Sequence, residues 1–136
     1  SSVPADFIEA APELFLFGED QAIVLNSDFT LNTPDNPAQQ RSKISVFFTG
    51  QGPVDPPVAA GRPAPSEPLS RITMIDEAVA KIGGVDSNVF FIGLAPGFAG
   101  LAQADLEVPV GLWRQLPIRL TIKGEESNMG FVSVKE

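Results

Sequence analysis

The sequence predicts an all-β fold, and more narrowly an antiparallel β-sandwich. Its 136 residues include 13 prolines and 12 glycines, which fall between short apolar runs. These two residue types interrupt regular structure, and no segment keeps the spacing of an amphipathic helix for long. The apolar runs are strand-sized and regularly spaced, as in a sandwich. Hydrophobic residues make up 43% of the chain, which is enough for one domain to bury a core without disulfides.

The apolar runs define the predicted strands. In chain order they are residues 3–10, 14–17 with 21–25, 43–49, 72–75, 78–82, 88–92, 101–108, 117–123 and 129–134. The first of these belongs to an extended N-terminal segment, residues 1–12, and residues 13–136 form the predicted sandwich domain.

Two glycine-containing turns predict hairpins. Gly83 and Gly84 follow one strand, and Gly124 follows another before two glutamates. Within residues 117–123, isoleucines and a leucine alternate with Arg119 and Thr121. Side chains in a strand point alternately to opposite faces, so one face of this strand is expected in the core and the other in water.

Two loops stand out between the strands. Residues 51–68 contain six prolines and cannot form a central strand, because proline lacks a backbone N–H. This stretch either packs over the end of the sandwich or offers a polyproline surface to a partner's aromatic groove. Residues 32–37 have the composition of consecutive asparagine and proline turns. Alternatively, the polar residues in and before this loop could supply oxygen ligands to calcium. They are Asn26, Asp28, Asn32, Asp35 and Asn36.

Charge excludes some partners. Nine basic and seventeen acidic residues give a net charge of −8, and the basic residues are scattered singly. Such a chain repels phosphate backbones and anionic lipids, so nucleic acid is not an expected partner. No apolar run approaches the ~20 residues that span a bilayer, so no membrane span is expected.

Composition also argues against catalysis. The chain has no histidine, cysteine or tyrosine, which removes the commonest general base, the thiol nucleophile and the best metal ligands. Three adjacent acidic pairs, at residues 19–20, 76–77 and 125–126, lie at predicted turns or strand ends, where carboxylates are simply solvated. We therefore predict no enzyme, no cofactor and no metal.

One aromatic residue offers a ligand contact. Trp113 lies beside Arg114 after a predicted turn, where an indole could stack on a sugar ring. Alternatively, this side chain covers the edge of the hydrophobic core. A secreted carbohydrate-binding or adhesion module is thus the second function that the sequence suggests.

Several segments together resemble a known family. They are residues 11–15, 21–26, 36–38, 49–54, 82–85, 93–98 and 127–128, and they span nearly the whole chain. The sequence resembles the Solibacter-type uncharacterised C-terminal domain, a bacterial β-sandwich module similar in appearance to immunoglobulin-like domains of surface proteins. The resemblance implies an immunoglobulin-like β-sandwich and secretion or surface display at the end of a long exported protein, and it brings no catalytic residues.

The N-terminal segment suggests self-assembly. Val3, Ala5 and Phe7 alternate on one side of an extended strand, and Ile8 adds a further apolar side chain. Such a segment fits either a groove in its own sandwich or a neighbouring copy, as in the strand donation that links pilins. We therefore predict an extracellular, pilus-like filament subunit whose assembly interface comprises Val3, Ala5, Phe7 and Ile8.

Overall fold

Two β-sheets packed face to face make up the computed structural model, which describes residues 10–58, 61–66, 69–73 and 75–136. The strands are β1 Glu13–Leu14, β2 Leu16–Phe17, β3 Gln21–Ala22, β4 Val24–Leu25, β5 Lys43–Thr49, β6 Val54–Asp55, β7 Arg71–Ile72, β8 Ala78–Ile82, β9 Val85–Ser87, β10 Val89–Leu94, β11 Ala102–Glu107, β12 Arg114–Ile122, β13 Glu125–Glu126 and β14 Gly130–Val134. The prediction of an all-β sandwich is confirmed.

The chain crosses between the two sheets several times. Sheet A has the order β1-β5-β11-β10-β7-β6. β4 also pairs with β5, on the same side as β1 and next to it along the strand. Sheet B has the order β2-β3-β14-β12-β8-β9, and β13 pairs with β12. All strand pairs are antiparallel except β3 with β14, which is parallel. Strands that are distant in sequence therefore become neighbours in each sheet.

The core lies between the sheets and follows the alternation of the longer strands. In β5, Ile44, Val46 and Phe48 are buried and alternate with residues that face outward. In β12, the buried residues Ile118, Leu120 and Ile122 alternate with Arg119, which is exposed, and Thr121. The prediction of one core face and one wet face in this strand is confirmed.

Both predicted hairpins are present. β8 turns into β9 at Gly83 and Gly84, and β12 turns into β13 at Lys123 and Gly124. All four turn residues have positive φ, between 51° and 80°. Two-residue hairpin loops of this kind require positive φ at both positions, which explains the glycines.

Most predicted strand bounds differ from those in the structure, and the differences are largest in three regions. Residues 14–17 and 21–25 form four two-residue strands shared between the sheets rather than two longer ones. β7 ends at Ile72, and a 3₁₀ turn at Ile75–Glu77 replaces the predicted end of that strand. β12 begins at Arg114 and runs through Pro117. Proline is tolerated there because Pro117 lies opposite the turn where β8 ends, and its carbonyl accepts the backbone N–H of Gly83.

The proline-rich stretch contributes an edge strand. β6 pairs with β7 at the end of sheet A, and residues 51–58 and 61–66, the described part of this stretch, supply no central strand, as predicted. No helix in the described ranges is both long and apolar enough to cross a membrane.

Candidate interaction surfaces

The predicted assembly residues Val3, Ala5, Phe7 and Ile8 lie outside the described residues. The last three residues of the predicted N-terminal segment are described and pack on the sandwich. Ala10 is only 2% exposed and Pro12 is buried. Between them, the backbone N–H of Ala11 donates to the carbonyl of Gly50 at 2.8 Å. Residues 10–12 therefore join sheet A at the carboxyl end of β5.

Gly50 makes this junction possible. Its φ is 79°, a region that side chains rarely adopt. A Cβ at this position would lie 1.9 Å from the carbonyl oxygen of Ala11. Only glycine lets the two backbones approach this closely.

A single asparagine side chain satisfies the outer edge of β1. The backbone N–H of Leu14 donates to Asn128 Oδ1 at 2.7 Å, and Asn128 Nδ2 donates to the Leu14 carbonyl at 3.2 Å. We call this reciprocal pair the Asn128 clamp. The amide takes the place of a neighbouring strand, so Leu14 has no backbone group left for an added one.

A second asparagine does the same for β14. Asn32 is wholly buried, and its Oδ1 accepts the backbone N–H of Ser133 at 2.8 Å. Its Nδ2 donates to the Ser133 carbonyl at 2.8 Å and to Asn26 Oδ1 at 2.9 Å. This Asn32 clamp joins the loop after β4 to sheet B.

The remaining polar residues of this loop also hold it together. Asn26 Nδ2 donates to the Asn36 carbonyl, and Asn36 Nδ2 donates to Thr30 Oγ1 and to the Leu31 carbonyl. The Thr30 hydroxyl and the Thr30 backbone N–H both donate to the Asp28 carboxylate. These two hydrogen bonds, that of the hydroxyl first, lower the pKa of the carboxyl. These contacts favour turn formation over the calcium-ligand alternative.

Six apolar side chains form a patch on the outer side of sheet A, which we call the apolar face. They are Phe15, Ile23, Leu25, Phe47, Phe98 and Leu101, and they surround an open concavity of about 480 Å³. Phe15 and Phe98 are 40% and 58% exposed. Leu31, paired with Leu25 through an isolated bridge and also exposed, extends the patch.

Strand alternation places these side chains outside. Val24 in β4 and the residues flanking Phe47 in β5 point into the core, so Ile23, Leu25 and Phe47 point away from it. Three backbone hydrogen bonds fix the centre of the face: Phe15 to Phe47 at 3.2 Å, Phe47 to Ile23 at 3.1 Å, and Ile23 to Phe15 at 2.9 Å.

A glycine turn positions Phe98 at the rim of the face. The backbone N–H of Gly97 donates to the Ala64 carbonyl, and the Phe98 carbonyl accepts the N–H of Ala64. The described part of the proline-rich stretch therefore supports this loop through Ala64.

The outer side of sheet B differs in character. Gln21 Nε2 donates to Gln115 Oε1 at 2.8 Å, and Gln115 Nε2 donates to the Ser133 hydroxyl. Ion pairs cross neighbouring strands at Lys81–Asp86 and Arg119–Glu126. This side therefore combines hydrogen-bonded polar side chains with apolar ones such as Phe131, Pro117 and Val79.

The predicted ligand contact, Trp113, lies just before β12 and is 39% exposed. The preceding turn is held by the backbone N–H of Gly111, which donates to Gln40 Oε1. A polar concavity of about 260 Å³ lies elsewhere and is lined by residues such as Asn26, Gln39 and Lys135. Trp113 does not line it, so the structure does not bring the tryptophan and the amide-rich loop into one cavity.

The predicted acidic pairs lie at turns or strand ends. One pair follows β2, another belongs to the 3₁₀ turn, and the third forms β13. No group of three or more acidic side chains in the described part of the chain could hold a metal ion.

Comparison with known proteins identifies no relative: no family model, no curated protein and no solved structure matches this chain. The resemblance to the Solibacter-type domain therefore stays a prediction.

The apolar face was not predicted, although the sequence contains a signal for it. Residues 22–25 are four consecutive apolar residues, and Phe47 interrupts the polar positions of β5. A strand that is apolar at successive positions presents apolar side chains on both of its faces. Only one of those faces can point into this two-layer core.

Proposed function

We propose that this chain is a non-enzymatic structural protein that assembles outside the cell into a filament. In this assembly each copy receives the N-terminal segment of a neighbouring copy. The apolar face is the observation that carries the proposal. It is a contiguous surface whose lining is entirely apolar, and such patches are typical of protein–protein interaction sites.

The chemistry of the described surfaces supports a structural role over catalysis. The acidic pairs are spread over turns that belong to different parts of the sandwich. The apolar face carries no acid, base or nucleophile, and its lining is entirely aromatic or aliphatic. Such a surface offers binding energy by burial but no group that transfers a proton or attacks a substrate.

A donated segment produces a polymer because the contact is heterologous. One surface of each copy binds a different surface of the next, so the contact repeats until a ring closes or a filament grows. Val3, Ala5, Phe7 and Ile8 supply the apolar side chains that such a contact needs.

Replacing Phe7 with aspartate is expected to abolish assembly of the full chain. The substitution removes the largest apolar side chain of the segment and places a charge where burial is required. Light scattering and negative-stain electron microscopy at high ionic strength, which screens the net charge of −8, measure particle size. The wild-type chain should form filaments and the variant should remain monomeric.

Ser2→Asp is the matched control, since it adds the same charge to the segment without removing an apolar side chain. It should assemble like the wild type. Filaments of Phe7→Asp equal to those of the wild type, or a wild-type chain that stays monomeric at every concentration, would overturn the proposal.

Carbohydrate binding is the second candidate, favoured by the partial exposure of Trp113. If it is correct, Trp113→Ala will eliminate glycan-array binding, because stacking on the indole face is lost. Phe90→Ala, which removes another exposed aromatic ring, should leave that binding unchanged. Absence of any glycan signal from the wild-type chain would exclude this candidate.

A further inference from the structure

We infer that the apolar face is the acceptor for residues 3–8 of a neighbouring copy. This inference rests on the proposed function and names the surface that receives the segment. The contact would be made by side chains lying on the outer side of sheet A, not by extension of that sheet at its edge.

The edge beside the face is already occupied. The Asn128 clamp satisfies both backbone groups of Leu14. Further along the same edge, the Val24 carbonyl accepts the N–H of Asn32, and the N–H of Asn26 donates to the Thr30 carbonyl. An incoming strand would find these groups paired, so strand addition is blocked where β1 and β4 border the face.

The face suits an extended apolar segment. Its side chains come from β4 and β5, from residues next to β1, β4 and β11, and from the loop between β10 and β11. Neighbouring strands in this face lie about 4.8 Å apart. In an extended segment Val3, Ala5 and Phe7 would repeat about every 7 Å along one side. A concavity of about 480 Å³ accommodates several such side chains.

The lining favours a protein segment over a small ligand. Sites for small molecules usually combine apolar walls with a few polar groups that orient the ligand. All six lining residues here are apolar, and the concavity is open to solvent. Burial of aliphatic and aromatic side chains is the interaction that this surface can supply.

The path of the described chain favours a neighbouring copy over the same copy. The chain passes Gly50 at Ala11 and then runs along β5 towards Phe47. To cover its own apolar face, the segment would have to reverse direction next to Ala10, which is buried, and Ala11, whose N–H is held by Gly50. Binding to another copy needs no reversal at this junction.

Site-directed cross-linking tests this inference in the full chain, which contains no cysteine of its own. One variant carries Ala5→Cys, and another carries Gln103→Cys on the outer side of β11, directly opposite Phe47. The two variants, distinguished by mass tags, are mixed and treated with a short bismaleimide. Because each chain has one thiol, a mixed dimer reports contact between copies only.

Thr121→Cys, on the outer side of sheet B, replaces Gln103→Cys in the control mixture. We expect the Gln103 mixture to exceed the control yield by about tenfold, the ratio that corresponds to about 1.4 kcal/mol of preference. Two outcomes would overturn this inference while leaving self-assembly intact: filaments that cross-link equally in both mixtures, and filaments in which Gln103→Cys chains link mainly to each other.

The chain with both Ala5→Cys and Gln103→Cys separates the remaining case. If it forms an internal cross-link and the wild-type chain is monomeric by light scattering, the segment covers its own face. That result would overturn the inference and the proposed filament together. Mixed dimers in an assembling chain support both.

Discussion

Replacing Asn32 with aspartate is expected to destabilise the fold by about 3–5 kcal/mol, the cost of an uncompensated buried charge. Asn32 is wholly buried and donates two hydrogen bonds from its Nδ2, to Ser133 and to Asn26. An ionised carboxylate still accepts the Ser133 N–H. Its second, negative oxygen would face the Ser133 carbonyl oxygen and Asn26 Oδ1, which both lose their hydrogen-bond donor. Urea denaturation at neutral pH measures the loss.

The penalty should depend on pH. Burial raises the pKa of the introduced carboxyl in the folded state above its value in the unfolded chain. The destabilisation is therefore largest above the folded-state pKa, and it shrinks as the pH falls through that value towards the unfolded one. Asn36→Asp, at an exposed position in the same loop, is the control and should cost only about 1 kcal/mol. Equal stability of the two variants would show that the Asn32 clamp does not anchor the loop.

Replacing Gly50 with alanine is expected to destabilise the fold by about 2–4 kcal/mol. About 1 kcal/mol arises from the positive φ, and about 1–3 kcal/mol from forcing a methyl group into closely packed backbone. The atoms that it would meet are the carbonyl oxygen and carbon of Ala11, at 1.9 and 2.6 Å, so no side chain can move aside. Residues 10–12 would have to leave their place beside β5.

Gly124→Ala separates the two contributions. Gly124 has nearly the same φ, 78°, but a Cβ there would meet no described atom within 4 Å. It should show the backbone cost alone, so the difference in urea midpoint between the two variants measures the close approach of Ala11 to Gly50. Identical midpoints would contradict the proposed junction.

Local patterns accounted for much of the fold. β5 and β8 have the predicted bounds, and both hairpins occur at the predicted glycines. In these segments alternation and turn residues act over a few neighbouring positions, so the sequence alone specifies them. The short strands between Glu13 and Leu25 were harder to predict, because their partners lie on two different sheets.

The clamps could not be predicted from local pattern. Asn32 pairs with a residue 101 positions away, and Asn128 with one 114 positions away. Asparagine was interpreted as a turn former, which is its commonest local role. Its second role, as a substitute for a strand's backbone groups, depends on which segments the fold brings together.

The candidate site was predicted only in part. The apolar N-terminal residues were identified from alternation, and whether they form an interface remains for the cross-linking experiment. The acceptor surface was not predicted, because apolar residues at successive strand positions do not reveal which face meets the core. The packing of one sheet on the other is what assigns Phe47 to the outside and Phe48 to the inside.

The Asn128 clamp also has a consequence for the X-ray fibre diffraction of a polymer of this chain. The clamp closes the edge of sheet A at Leu14, so subunits would contact each other through the apolar face and not through continued strand pairing. The repeat along the polymer would then be the size of a whole domain, on the order of 30–40 Å. Oriented fibres should therefore give a long axial period. They should lack the strong meridional reflection near about 4.7 Å that marks amyloid.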